Sequence, residues 1–211
     1  MNAHRAPGWW RRNRWGLVAL PLAAVAALAG SSDRVKLLYW DEGLHREQAA
    51  QQGDWLEFRD TFHDSEGEHP LEVRVRLDSV DDTTTGWGSS DPIDLPPGGK
   101  AVRVTVSFEA DPDLAMRVCQ LAVRDTDGTR YAYLPVLGEV SQPLSPCVPD
   151  ASPGPWPAMG DDLATTTPDE RPRPRSWTVE PVLVVPEEVE IADVVFWWEK
   201  PAYAALTVHP L

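Results

Sequence analysis

His63, Asp64, Glu66 and His69 are the tightest set of metal-ligating side chains in the chain. Their spacing is not that of two histidines one helical turn apart, and the segment reads as a strand end running into the turn Glu66–Pro70. A solvated loop accounts for it. Asp125-Thr126-Asp127-Gly128 begins like a calcium loop, but Thr129-Arg130-Tyr131 supplies neither a further oxygen ligand nor the required glutamate. The Asp-Gly pair instead suits a tight hairpin turn. Asp81, Asp82 and Asp91 would bind calcium only if the connection between them folds back. No G-x-S-x-G elbow and no glycine-rich phosphate loop occurs. With 33 acidic residues, paired carboxylates carry no information about glycoside chemistry. The expectation is a protein that is not an enzyme, with no metal site and no cofactor.

Cys119 and Cys147 are the only two cysteines. Outside the cytoplasm an even count favours a bridge, worth about 3–4 kcal/mol on the chain-entropy argument for a loop of this length. Two cysteines without neighbouring histidines fall short of a zinc site.

The elements that must carry these residues start with Trp15–Gly30, the one long uncharged run. Arg5, Arg11, Arg12 and Arg14 precede it, so residues 1–14 form a basic cytoplasmic N-terminus and everything after the run lies outside. Two readings stay open. Residues 15–40 form a single-pass signal-anchor, with Trp9, Trp10 and Trp15 as one aromatic belt and Leu37-Leu38-Tyr39-Trp40 as the other. Alternatively, Ala27-Leu28-Ala29 is a cleavage site and the segment to residue 29 is removed. The run itself covers about 24 Å of helix, short of the roughly 30 Å hydrocarbon core. The localisation expected is the cell membrane with the C-terminal domain extracytoplasmic, or secretion.

Beyond residue 40, thirteen Lys and Arg stand against thirty-two Asp and Glu. Such a surface repels nucleic acid and anionic lipid and tolerates cationic partners. Residues 41–53 read as a polar spacer or an outward continuation of the helix. From residue 54 to 211 the pattern is β. Leu71, Val73, Val75 and Leu77 alternate with charged residues, as do Val102, Val104, Val106 and Phe108. Further strands are read at 55–62, 116–124, 130–134, 177–185, 189–198 and 202–209. Nine prolines between Gln142 and Arg175 make residues 142–175 an exposed loop. Seven or eight short strands separated by turns predict an antiparallel β-sandwich.

The paired runs Ala101–Phe108 and Met116–Tyr133, with the two cysteines, resemble bacterial membrane-anchored extracytoplasmic immunoglobulin-like domains of unknown function. The likeness covers about residues 54–210 and is architectural. Trp177 does not lie between the cysteines, so the antibody-domain pattern is absent. The resemblance implies an immunoglobulin-like sandwich and no particular activity.

Ten tryptophans remain to be placed. Trp197 and Trp198 are adjacent in a strand and must face opposite sides, so one of them is exposed or covered by the proline-rich loop. The exposed one of Trp197 and Trp198, with Tyr203 nearby, makes a binding patch; Trp156 and Trp87, in loops, are the other candidates for exposed contacts. The function expected is a non-enzymatic cell-envelope protein whose sandwich binds another envelope protein. The alternatives are a secreted or anchored module for a small ligand or calcium, and an accessory subunit of a membrane transporter.

Overall fold

The computed structural model describes residues 9–36, 40, 43–158 and 171–209. The basic N-terminus before Trp9, the Leu37-Leu38-Tyr39 belt and residues 159–170 of the proline-rich loop lie outside the described residues. The chain divides into two compact units, residues 1–43 and 44–211.

The first unit holds one helix, α1 (Trp9–Val35), with Pro21 inside it. Its apolar side chains, Leu20, Leu22, Val25 and Leu28 among them, are exposed. No helix among the described residues is long and apolar enough to cross a membrane. That corrects the signal-anchor expectation for residues 15–40. The uncharged run is too short, and Arg14 on one side and Asp33 and Arg34 on the other cut it off.

The second unit is a β-sandwich. One sheet holds β1 (Arg46–Gln51), β12 (Ala202–Thr207), β11 (Ile191–Trp197), β5 (Gln120–Asp125) and β6 (Arg130–Ala132), in that spatial order. The other holds β10 (Val182–Pro186), β4 (Gly99–Ala110), β3 (Gly67–Thr83) and β2 (Leu56–Asp64), with β9 (Ser176–Val179) also pairing to β4. A small hairpin, β7 (Val136–Leu137) with β8 (Val140–Ser141), follows β6. All pairings are antiparallel except β1 with β12, which is parallel.

The alternating residues build the core. Phe58, Leu71, Val73, Val75, Val104, Val106 and Phe108 face inward from one sheet; Leu121, Val123, Val194, Phe196, Ala204 and Leu206 meet them from the other. Residues 177–185, expected as one strand, are two, because Pro181 lacks the N–H to continue the ladder. Residues 41–53, expected as spacer or helix, instead supply β1 and join the sandwich from Leu44 onward. Arg-Glu-Gln-Ala-Ala-Gln favours helix in isolation. The six-residue register with β12, Arg46↔Ala202 to Gln51↔Thr207, overrides that preference.

Both free edges of the second sheet are closed by a glutamine. At β2, Gln48 Nε2 donates to Arg59 O (2.8 Å) and Arg59 N donates to Gln48 Oε1 (3.1 Å). At β10, Gln142 Nε2 donates to Val182 O (3.0 Å) and Val182 N donates to Gln142 Oε1 (3.2 Å). Each primary amide stands in for the peptide group of a missing strand, which blunts an edge that would otherwise pair with another chain. Gln142 is buried and also serves Leu134 O and Trp87 N. Gln48 lies in an exposed setting where water can replace it. We therefore expect Gln142→Ala to destabilise the protein by about 3 kcal/mol and Gln48→Ala by less than about 1 kcal/mol. Urea unfolding of the two variants checks the difference.

Candidate functional site

The proline-rich loop is tied down at one end of the sandwich. Cys147 is bonded to Cys119, just before β5, with Cα atoms 6.0 Å apart. Trp177 Nε1 donates to Cys147 O at 2.9 Å. The Trp177 ring stacks on Phe108 (5.7 Å, 10°), and Phe108 meets Phe196 of the facing sheet edge-on (5.6 Å, 89°). On the loop side, the Arg173 guanidinium lies 4.8 Å over Trp177. Arg173 is 1% exposed and donates to Asp111 O (2.5 Å), Leu114 O (2.9 Å) and Pro153 O (3.4 Å). Burial pushes its pKa down to about 10, against the opposing pull of Asp111 and Asp113. It therefore remains cationic at neutral pH, held by carbonyl oxygens.

Gly154 packs against this arginine. An added Cβ would sit 3.0 Å from Arg173 Nη1, and its φ of +80° suits only glycine. Arginine and glycine together fix the loop's path over the 111–119 connection. The loop thereby encloses a cavity of ≈ 280 Å³ whose wall includes Arg117, Ser145, Val148, Asp150, Pro153 and Trp156. The Arg117 guanidinium lies 4.9 Å over the Trp156 ring. Leu144, 70% exposed, stands on the rim.

The other aromatics expected to bind are placed differently. Trp198 is 6% exposed and packs on Phe58 at 5.5 Å. Tyr203 is 7% exposed, with its hydroxyl donating to Glu47 Oε2 at 2.5 Å. Trp198 is a core filler, because the strand that turns Trp197 outward must turn Trp198 inward; Tyr203 lies on the same outer face as Trp197. Trp197 is half-buried on the outer face, against the cluster of Ala122, Val195, Tyr203 and Ala205. Trp87 is half-buried against the core. Trp156 alone of the four expected binding aromatics lines the cavity at the loop.

The acidic and histidine clusters resolve into internal contacts. Asp125 Oδ1 accepts from Asp127 N (3.0 Å) and Thr129 N (2.8 Å), so it shapes the hairpin turn. Asp81 and Asp82 line a separate groove of ≈ 540 Å³ with Glu187, Glu188, Glu190 and Lys100; Asp91 is not on it. Among the described residues no group of three or more His, Cys, Asp or Glu is arranged to hold a metal. His69 Nε2 lies 2.9 Å from Asp64 Oδ1, and Asp64 Oδ2 accepts from Ala158 N at 3.1 Å. The β2–β3 hairpin tip is thereby joined to the proline-rich loop. His63 sits between Glu199 (3.0 Å) and Glu68 (3.2 Å).

Arg173, Gly154, Ser145, Leu144 and Gln142 were not legible as site residues. The only advance signal was a glycine set between two prolines, Pro153-Gly154-Pro155.

With this geometry in hand, comparison with known proteins adds little. No family description matches the chain. No curated protein matches it either. Among solved structures, it is similar to an uncharacterized beta-sandwich protein from Clostridium difficile 630, at 4% identity over 77% of this chain and 94% of that one, with a TM-score of 0.37. A likeness at that level adds nothing to the sandwich read from the strands themselves.

The His63 contacts have a pH signature. The hydrogen bonds it makes to Glu199, then to Glu68, raise its pKa above the ordinary 6.5. Its contribution is thus fully present below about pH 6.5 and lost as pH rises through the raised value. His63→Gln keeps the backbone N–H bond to Glu199 but cannot charge. The melting-temperature gap between wild type and His63→Gln should be larger at pH 5.5 than at pH 8.5. Equal gaps would remove the ion pair from the account.

Proposed function

We propose that the chain is an exported, non-enzymatic cell-envelope protein whose immunoglobulin-like sandwich binds another envelope protein through its loop end. The observation that carries this reading is the cavity under the proline-rich loop, with Trp156 in its wall and Leu144 on its rim. A hollow with Val148, Pro153 and Trp156 in its wall, beside an exposed leucine, is the surface chemistry of protein recognition. The loop is held by a buried cation and a disulfide rather than left to fluctuate, so a partner would not bear the cost of ordering it.

The strand order supports the immunoglobulin-like description. One sheet runs β12-β11-β5-β6 and the other pairs β10 and β9 with β4. That arrangement matches the G-F-C-C′ and E-B neighbours of such sandwiches. On this mapping the 111–119 and 198–201 connections and residues 143–158 of the proline-rich loop gather at one end, where variable-type sandwiches carry their contact loops.

Export is supported by two features. A buried disulfide belongs to an oxidising compartment. The exposed apolar run within α1, preceded by arginines, suits an export signal rather than a membrane span. The dominance of carboxylates on the sandwich argues against nucleic-acid or anionic-lipid partners.

The test is site-specific photo-cross-linking in the host cells. A benzophenone side chain placed at Leu144 should give a discrete higher-mass protein adduct. The same group at Glu72, on the charged outer face of the second sheet, should not. No adduct at position 144, or equal adducts at both, would overturn the reading.

A further inference from the structure

The proline-rich loop has a further attachment besides its disulfide and Arg173. Ser65 N donates to Ala158 O (3.0 Å) and Ala158 N donates to Asp64 Oδ2 (3.1 Å). The tip of the β2–β3 hairpin is thus bonded to the loop two residues past Trp156. The disulfide acts at Cys147 and Arg173 at Pro153, both before Trp156. Ala158 is held by the tip.

The tip in turn is held by His63. His63 and Glu68 form the next-to-last rung of the hairpin, and Asp64 and Gly67 the last. His63 N donates to Glu199 Oε2 at 2.9 Å. Its ring places Nδ1 3.0 Å from both Glu199 oxygens and Nε2 3.2 Å from Glu68 Oε1. Glu68 belongs to β3, and Glu199 to the connection between β11 and β12, where Lys200 follows it. Among the described residues, the charged groups that face the ring are these two carboxylates. A carboxylate only accepts, so a ring with one at each nitrogen needs a proton on both. A neutral imidazole has one bare nitrogen and must give up one carboxylate. His69 differs: it presents Nε2 alone to Asp64 Oδ1 (2.9 Å), a contact the neutral ring can keep.

We propose that the β2–β3 tip is a pH-operated clasp on the proline-rich loop. Charged, His63 ties Glu68 to Glu199 and holds the tip on Ala158. Uncharged, it releases one of the two, the last rungs of the hairpin loosen, and the bonds to Ala158 open more often. The clasp also needs the Asp64 carboxylate. Burial raises the Asp64 pKa, but hydrogen bonds from Glu66 N, Ala158 N and His69 hold it below the ordinary 3.8. Its contribution is present above 3.8 and lost as pH falls through the lowered value. The His63 contribution is complete below 6.5 and lost as pH rises through its raised value. The clasp is therefore complete between pH 3.8 and 6.5 and loosens on the alkaline side. The device acts within the chain and stands apart from the loop-end reading.

The test is amide hydrogen exchange on the full chain, followed by NMR at pH 5.5 and 8.5, with each rate divided by the intrinsic rate at that pH. Protection of the Ser65 and Ala158 amides should be about three-fold lower at pH 8.5, the size expected of an exposed ion pair. His63→Gln should show the lower protection at both pH values. Glu68→Gln should also remove the step, because its amide can donate to the bare nitrogen of a neutral ring. His69→Gln should keep the step. Equal protection at the two pH values in the wild type overturns the proposal. So does a step that survives in His63→Gln or vanishes in His69→Gln, since the titrating group would then lie elsewhere. A step at Ser65 without one at Ala158 overturns it as well, because the loop would not feel the tip.

Discussion

The column Arg173–Trp177–Phe108–Phe196 is the constraint on which the rest of the molecule depends. It runs from the proline-rich loop, through both sheets, in three successive ring and guanidinium contacts. The Cys119–Cys147 bond and the Trp177 indole hydrogen bond to Cys147 O attach the loop at a second point beside it. A loop with nine prolines has few N–H groups and cannot hold itself by backbone ladders. Its carbonyl oxygens are what it can offer, and a buried guanidinium, with five donors and no acceptor, is the side chain that can collect them. The loop is therefore fixed by its own Arg173, which donates to Asp111 O and Leu114 O of the 111–119 connection and to Pro153 O, and by Trp177 donating to Cys147 O. The cavity it encloses follows from that fixation.

The sandwich itself faces a different problem. Two sheets leave open edges, and open edges recruit other strands. Gln48 and Gln142 each present an amide to the second sheet's outer strands and end the ladder there. Gln142 does more than close an edge. The same residue holds the Leu134 carbonyl and the Pro135 carbonyl, so the 134–144 segment and the sheet edge share one support. Among the described residues of the sandwich, the exposed large apolar side chains, Leu134, Val136 and Leu144, all lie in this one segment.

Much of the sandwich was legible because the sheets have one wet face. Strict alternation over 71–77 and 102–108 marked β3 and β4, and the Asp-Gly pair marked the β5–β6 hairpin. The cysteine pairing followed from an even count and an extracytoplasmic placement. β1 was not legible, since its residues prefer helix and become a strand only against β12. Adjacency showed that Trp197 and Trp198 must face opposite ways, but nothing in the order of residues said which one meets Phe58. The loop was least legible of all. An arginine between Pro172 and Pro174 looks like a solvated residue, and only the fold reveals that it is buried.

The measurement that tests the central claim most directly is the thiol state of the protein taken from its own cells. Alkylation before any reductant is added, followed by intact-mass analysis, reports it in one step. The account predicts no alkylated cysteine until a reductant is supplied, and two afterwards. Two alkylated cysteines in the untreated protein would contradict it: the loop would lack its covalent attachment, and the oxidising compartment inferred from the Cys119–Cys147 bond would have no support.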